Sequence, residues 1–484
     1  MRTAYDVGKV RDAERVQMAR LPEGTLMGRA AAGLAATCAR LLGRVYGSRV
    51  VLLVGSGDNG GDALYAGERL ARRGARVEAV LAGSRTHEGG LAALRAAGGR
   101  VSDASALARA DLVIDGLVGI GGKGALREPY AGLARETRHV RATVVAVDVP
   151  SGVDAGTGQV EGEAVRADVT VTFGAHKTGL LVDPGAAHAG VVELVDIGLD
   201  LPDPDVVALQ DEDVADLLPR PAPESDKYRR GVVGIAAGSH LFTGAAVLAV
   251  GGAVRGGAGM VRYLGPEEPI GLVRARWPEA VTTIDDPAKV GRVQAWVVGP
   301  GLGTGEESHR IAAALLKSDV PALIDADGIT LASRDRALLR RTAPTLITPH
   351  AGELSRLLGV PRERIEARRL EHARRAAEEL GVTVLLKGST TLIAEVDRPV
   401  RVNPTGTPWL ATGGTGDVLS GLAGALLAGG LSCYDAASAA AYLHGLAARR
   451  AATGAPAGLP YGESPISAED VIARLPEAFR SLIP

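Results

Sequence analysis

The sequence predicts an α/β protein of two domains, each a three-layer, doubly wound sheet. Three observations carry this. Short β-branched runs alternate with helical stretches along nearly all of the 484 residues. Each strand-like run ends in a polar or glycine-rich loop, as where RVVLLV enters GSGDNGGDAL and residues 296–298 enter GPGLGTG. A single Pro- and Asp-rich stretch, residues 198–220 with Pro221 and Pro223 behind it, interrupts the composition. The length exceeds one ordinary domain, so the domains are placed at residues 1–210 and 211–484.

Composition narrows the function classes. Lys and Arg number 54 against 56 Asp and Glu, and no long basic run occurs, so neither nucleic acid nor an anionic membrane is expected as a partner. Aromatic residues are only 3 %, too few for a surface that stacks bases. The 65 glycines suit close helix–strand contacts. Cys38 and Cys433 lie far apart without metal-type spacing, which fits a reduced compartment. The charged first residues have no apolar signal region, and no uncharged apolar run reaches membrane-spanning length. A cytoplasmic, homo-oligomeric protein is expected.

In the first half, residues 1–48 read as helices, with residues 30–42 rich in Ala and Leu. The strand 49–54 then ends at Asp58, Asn59 and Asp62, which suit a ribose hydroxyl or a cation, or a polar turn with Asp62 as helix cap. The strand 76–81 and a helix near 89–97 follow. The strand 111–114 ends at Asp115, before the loop GLVGIGGKGALREPY. Its glycines, Lys123 and Arg127 suit a pyrophosphate or make a long surface loop. The strand 143–147 ends at Asp148 and Ser151. Asn59, Asp115 and Ser151 thus follow strand ends, where three oxygen donors can hold a hard monovalent or divalent cation. The strand 170–173 leads to His176 and Lys177, an anion contact or structural residues, and 191–195 closes the sheet.

After a short helix at 211–218, the second half repeats the alternation. Strands are predicted at 231–236, around GAGMVRYLG, and at 296–298, 322–324, 345–348 and 382–386. A helix runs from GSHLFTGAA through Val254, and an amphipathic one covers 364–380. The strand ends carry Asp325 and Asp327, then His350 and Glu353, then Lys387, Gly388, Ser389, Thr390 and Thr391. The three acids are candidates for holding Mg²⁺ directly or through water. His350 either meets a substrate or caps a turn.

The stretch NPTGTPWLATGGTGDVLSG, residues 403–421, carries the most chemistry. Gly413, Gly414 and Gly416 crowd in front of Asp417 and an apolar helix at 418–431. A glycine-lined helix N-terminus binds an anion through its unpaired N–H groups. A carboxylate there repels phosphate. Its fitting role is to take a proton from a substrate hydroxyl while the amides stabilise a transferring phosphoryl group. The alternative is a turn with Asp417 as cap.

GGTGD with its apolar helix is similar to the signature of the ribokinase-like superfamily. With GPGLGTG, DADGI, TPHAGE and KGSTT it resembles the nucleotide-dependent NAD(P)H-hydrate dehydratases. GSGDNGGDAL, DGLVGIGGKG, DVPSGVDAGTG and TFGAHKTGL resemble the NAD(P)H-hydrate epimerases, and the two in this order resemble the fused repair enzymes over nearly the whole chain. The resemblance implies a Rossmann-like N-terminal and a ribokinase-like C-terminal domain. It implies that the first interconverts R and S hydrates of NADH or NADPH. The second phosphorylates the C6 hydroxyl of the S form and expels phosphate, with ADP expected as donor together with Mg²⁺. It further implies K⁺ on Asn59, Asp115 and Ser151. Hydrate-binding positions in the epimerase are Asp58, Asn59, Gly60, Gly61, Asp62, Gly119, Ile120, Gly121, Gly122, Lys123, Gly124, Ala125 and Asp148, the last also as acid/base. In the dehydratase they are Ala245, Gly303, His350 and Asp417, the last as base. Nucleotide-binding positions are Lys387, Gly388, Ser389, Thr390, Thr391 and Gly416. Gly28 stands where the family's LMERAG has an acid, and Gly121-Gly122-Lys123 replaces a shorter polar stretch. A ribokinase-type kinase with a regulatory N-terminal domain, and a non-catalytic nucleotide-binding protein, are the competing functions. The first would release a phosphorylated product, and Asp417 argues against the second.

Overall fold

Every strand in the order Arg100–Ser102, Arg76–Leu81, Arg49–Val54, Leu112–Gly116, Thr143–Val147, Val169–Phe173, Val191–Val195 runs parallel to its neighbour. This is the sheet of the first of two compact units, Thr3–Val206; the second is Val207–Pro484 with Met1–Arg2. The computed structural model describes residues 1–454 and 462–482. The central strands are continuous apolar runs because both faces are covered. Ala30, Leu34 and Cys38 of the helix Thr25–Leu42 pack on Leu52, Ile114 and Val171. Val51, Leu53 and Val113 point the other way, onto Leu107 and Leu133. Strand order reverses between Arg49–Val54 and Leu112–Gly116, so a crevice opens past their carboxyl ends.

In the second unit the strands Val281–Ile284, Met260–Gly265, Val232–Ala236, Ala295–Val298, Ala322–Ile324, Thr345–Ile347 and Thr383–Leu386 are parallel in that order. Thr391–Ala394 and Val400–Asn403 then add antiparallel strands. The reversal of order falls between Val232–Ala236 and Ala295–Val298. One face is covered by the helices Thr243–Arg255 and Thr415–Ala428, which touch through glycine. A Cβ on Gly421 would overlap the Ala249 carbonyl oxygen, and one on Gly252 would overlap that of Val418. No helix of the described residues is long and apolar enough to cross a membrane.

Several sequence expectations need correction. The first residues are not all helical: Arg2–Tyr5 is a strand whose Ala4 and Tyr5 pair with His176 and Lys177. The compact units divide after Val206, close to the boundary expected at residue 210, and Leu209 is buried with Val214, Leu218 and Val233 in the second core. The helix expected at 364–380 is two, Arg362–Ala367 and Arg369–Leu380, broken at Arg368 with φ −131° and ψ 55°. The break turns Arg369 inward, where its guanidinium reaches three carbonyls. The helix expected at 418–431 spans Thr415–Ala428.

Gly421→Ala should lower the unfolding free energy by roughly 1–3 kcal/mol, since the backbones must separate to admit a methyl group. Denaturant unfolding measures it, and an unchanged midpoint would contradict this packing.

Candidate active site

The second unit gathers its polar residues along the carboxyl edge of the sheet. Gly414, at φ 87°, precedes the helix Thr415–Ala428, and no side chain caps it. A left-handed residue here favours glycine, and the first N–H groups stay available to an anion. Asp417 lies in the first turn. It does not act as a cap. Burial, reinforced by Asp325 and Asp327 and opposed by Lys387, pushes its carboxyl up to about 7.

Lys387 explains that balance. Its Nζ is 2.8 Å from Asp325 Oδ1 and 3.8 Å from Glu353 Oε2, and a Cβ on Gly416 would lie 3.6 Å from it. Burial pulls its ammonium down, but the carboxylates of Asp325 and Glu353 outweigh this and hold its pKa above the usual value. Ser420 Oγ donates to Asp325 Oδ2 at 2.7 Å. Asp325, 1 % exposed, therefore has both oxygens engaged. Asp327 Oδ2 accepts from Gly303 N at 2.9 Å, and Glu353 Oε2 accepts from His350 N at 2.8 Å. The expectation that these three acids hold Mg²⁺ directly is corrected accordingly; contact through water is a separate arrangement that these bonds leave open. Among the described residues no group of three or more His, Cys, Asp or Glu is placed to hold a metal.

His350 takes the capping role of the two expected for it. It caps the helix Ala351–Leu358, with Nδ1 accepting from Glu353 N at 3.1 Å. Burial, opposed by Glu353 and aided by Lys387, lowers its pKa. A neutral ring that accepts at Nδ1 carries its proton on Nε2, ready to donate. Lys387 N bonds Pro349 O at 2.8 Å, so His350 and the Lys387 loop are neighbours. That loop is a hairpin turn between antiparallel strands. Thr391 starts the second strand and donates to Gly388 O at 3.2 Å. Ala245 meets the loop of Gly301, whose added Cβ would lie 2.7 Å from its own; Gly303 is two residues on.

Three supports had no usable sequence signal or only a weak one. Arg369 Nη2 donates to the carbonyls of Leu386, Lys387 and Thr390 at 3.0–3.3 Å, fixing the hairpin. Buried His444, pushed down to about 4 by desolvation, donates from Nε2 to Thr415 O at 2.9 Å. Ser420 stands three residues after Asp417, on the same helix face.

In the first unit, Asp115 and Ser151 are fully buried and bonded twice, Oγ to Oδ1 at 2.6 Å and N to Oδ2 at 2.9 Å. Burial raises Asp115 above the usual carboxylate range, against the hydrogen bonds from Ser151 and Leu117. Ser151 Oγ also lies 3.2 Å from Val118 O. Asn59 Nδ2 donates to Val147 O at 2.7 Å, and its Oδ1 faces Gly119 closely enough that a Cβ there would overlap it. The donors around this point are oxygens alone: a carboxylate, a hydroxyl, an amide and a carbonyl. Gly122, Lys123, Gly124, Ala125 and Arg127 line a cavity of about 240 Å³ together with Asp154 and Glu161.

Asp148 has φ 64°, a conformation a non-glycine residue rarely keeps without compensation. Its Oδ1 accepts from Lys177 Nζ at 2.5 Å, Thr172 Oγ1 at 3.1 Å and Phe173 N at 3.2 Å. Lys177, 1 % exposed, is thus spent on Asp148, and the expected contact with an anionic ligand is corrected. Asp62 is buried and its Oδ1 has no hydrogen-bond partner. Desolvation, then Asp148, Asp58 and Glu14, push it well above the usual range.

Comparisons place these units among known proteins. Residues 233–462 match the family model described as NAD(P)H-hydrate dehydratase, and residues 23–179 that described as YjeF-related protein N-terminus. The chain is 48 % identical over 490 residues to the bifunctional NAD(P)H-hydrate repair enzyme Nnr of Mycobacterium leprae, covering 100 % of both. It is 50 % identical over 446 residues to the Mycobacterium tuberculosis (strain H37Rv) protein of that name, covering 90 % of this chain and 92 % of the other. Among solved structures, the ADP/ATP-dependent NAD(P)H-hydrate dehydratase of Bacillus subtilis, co-crystallized with ATP/Mg²⁺, is 32 % identical. It aligns with a TM-score of 0.51 over 56 % of this chain and 97 % of that one.

Lys387→Met should destabilise the protein by roughly 3 kcal/mol, because it strands the buried Asp325 carboxylate. Adding Asp325→Asn should recover most of that loss in denaturant unfolding; equal stability of Lys387→Met and the parent would contradict the ion pair.

Proposed function

The chain belongs to the bifunctional NAD(P)H-hydrate repair enzymes, and from that premise we propose that Asp417 is the base of an ADP-dependent dehydration in its second unit and Asp148 the acid/base of hydrate epimerisation in its first. The observation that carries this is a half-buried carboxylate, poised about 7, in the first turn of an uncapped glycine-led helix.

In the second unit Asp417 takes the proton of the C6 hydroxyl of the S hydrate. The hydroxyl oxygen forms a bond to the β-phosphorus of ADP as the bond to AMP breaks, and the N–H groups of Gly416 and its neighbours steady the phosphoryl oxygens. The C6–O bond then breaks with its electrons leaving on phosphate, while C5 loses a proton. The C5=C6 double bond of the reduced nicotinamide is restored. Lys387 to Thr391 border the nucleotide, and His350, Ala245 and Gly303 border the hydrate. The acids do not form a protein cage for Mg²⁺, so an ion there would be held chiefly by the nucleotide's own phosphates. Because the base must be ionised, dehydration rises with pH through about 7 and then levels.

In the first unit Asp148 works beside Lys177, with the Gly119–Ala125 backbone and Asp58–Asp62 around the hydrate. The oxygen-only donor set of Asn59, Asp115, Ser151 and the Val118 carbonyl suits K⁺. When bound, K⁺ supplies a fixed positive charge beside the buried Asp115 carboxylate.

The test uses hydrated NADH as an R and S mixture, with ADP or ATP, and follows near-ultraviolet absorbance. Asp417→Asn should lose dehydration by about 10²-fold or more and keep epimerisation. Asp148→Asn should dehydrate the S form and leave the R form. Retention of both activities by both variants would contradict the assignment.

A further inference from the structure

The helix Val7–Met18 falls in the stretch 1–48 that the sequence reads only as helical. Asp6 caps it, its Oδ1 accepting from Gly8 N at 2.7 Å. The strand before it pairs Tyr5 with Lys177, which starts the helix beside the Asp148–Lys177 pair. Val10 is buried with Tyr5 and Ala175, and Val7 packs with Ile120 against Val149, Val153 and Ala155. Arg11 Nη2 reaches Ile120 O at 3.4 Å. Apart from Tyr5, these contacts fall on loops past the carboxyl ends of strands, so the helix covers the crevice.

Glu14, three residues after Arg11, shares its face. It is only partly exposed. The charged groups close enough to act on it are Lys177 and Asp148 from the sheet edge, Arg11 from its own helix and Asp58 from the start of the helix Asp58–Arg72. Asp62, on the helix Asp58–Arg72, also feels it. Burial raises Glu14, Lys177 lowers it, and Asp148 raises it again, for a net upward shift. Asp62, buried with Oδ1 unpartnered, supplies an independent sign that a polar ligand completes this cluster.

We propose that Glu14 is a second acid/base group of the epimerase, acting on the hydrate from the covering helix while Asp148 acts from the sheet edge. This rests on the epimerase reading of the first unit. Epimerisation at C6 has to remove a hydroxyl from one face and return one to the other, which a single fixed carboxylate serves poorly. In one direction the carboxylic acid on the first side gives a proton to the C6 hydroxyl. The C6–O bond breaks, water leaves with that electron pair, and the N1 lone pair forms N1=C6. Water then adds to the other face; its electron pair forms the new C6–O bond, the N1=C6 pair returns to N1, and the second carboxylate takes the released proton. One proton is given and one taken, and no oxidant or metal enters.

The experiment compares the full chain with Glu14→Gln and Glu14→Asp, using hydrated NADH of one epimer without nucleotide and following its interconversion. Glu14→Gln should lose about 10²-fold or more in kcat with little change in KM, and its pH–rate profile should lack one ionisation of the parent. Glu14→Asp should recover part of the rate. Melting temperature and dehydration of the S form with ADP should match the parent in both. A parent-like kcat and pH profile in Glu14→Gln would overturn the proposal. So would equal losses in both variants with an unchanged profile, which would mark a packing role. A parent chain that dehydrates but does not epimerise would instead overturn the reading of the first unit.

Discussion

The ion pair between Lys387 and Asp325 is the constraint that shapes the second unit's site. Its members leave the ends of different strands, Thr383–Leu386 and Ala322–Ile324, and meet at 2.8 Å. Removing two charges from water costs several kcal/mol each, and the attraction offsets this only with good geometry and further hydrogen bonds. Ser420 supplies one from the glycine-led helix. The pair therefore ties both strand ends to the second turn of that helix and sets the field at Asp417. Asp325 raises Asp417 and Lys387 lowers it. A carboxyl group raised to about 7 is the result.

The first unit has a similar pair with a different division of labour. Lys177 and Asp148 are nearly inaccessible and bonded, but here the carboxylate of the pair is itself the group proposed to react. Its backbone is held at φ 64° and its Oδ1 is fixed by Thr172 and Phe173. Both units place a buried Lys–Asp pair just beyond the carboxyl edge of a parallel sheet. The open α/β architecture puts polar loops there because the strands themselves are sheathed by helices on both faces.

Much of this was legible in the sequence, for physical reasons. Strands such as 143–147 and 322–324 are continuous apolar runs ended by acids, which only a buried parallel strand produces. Gly413, Gly414, Gly416 and Asp417 announced a glycine-led helix start with an acid in its first turn, and the structure has one. What stayed hidden depends on tertiary distance. Nothing in KGSTT says that Lys387 faces Asp325, or that Thr391 opens an antiparallel strand. Arg369 lay inside an apparent helix, whose break at Arg368 is stabilised by carbonyls from a different segment. His444 sits mid-helix between Leu443 and Gly445, with nothing in the sequence to mark it. The strand Arg2–Tyr5 is too short to stand out, and without it the helix Val7–Met18 gives no sign of covering a crevice.

The most direct measurement is the ionisation of Asp417 in the full chain, followed by carboxyl-carbon NMR across the pH range, in the parent and in Asp325→Asn. The parent should titrate at about 7. Asp325→Asn should titrate lower, because one repelling carboxylate is gone and Lys387 is released toward Asp417. A parent midpoint in the ordinary carboxylate range, or one that Asp325→Asn leaves in place, would contradict the account.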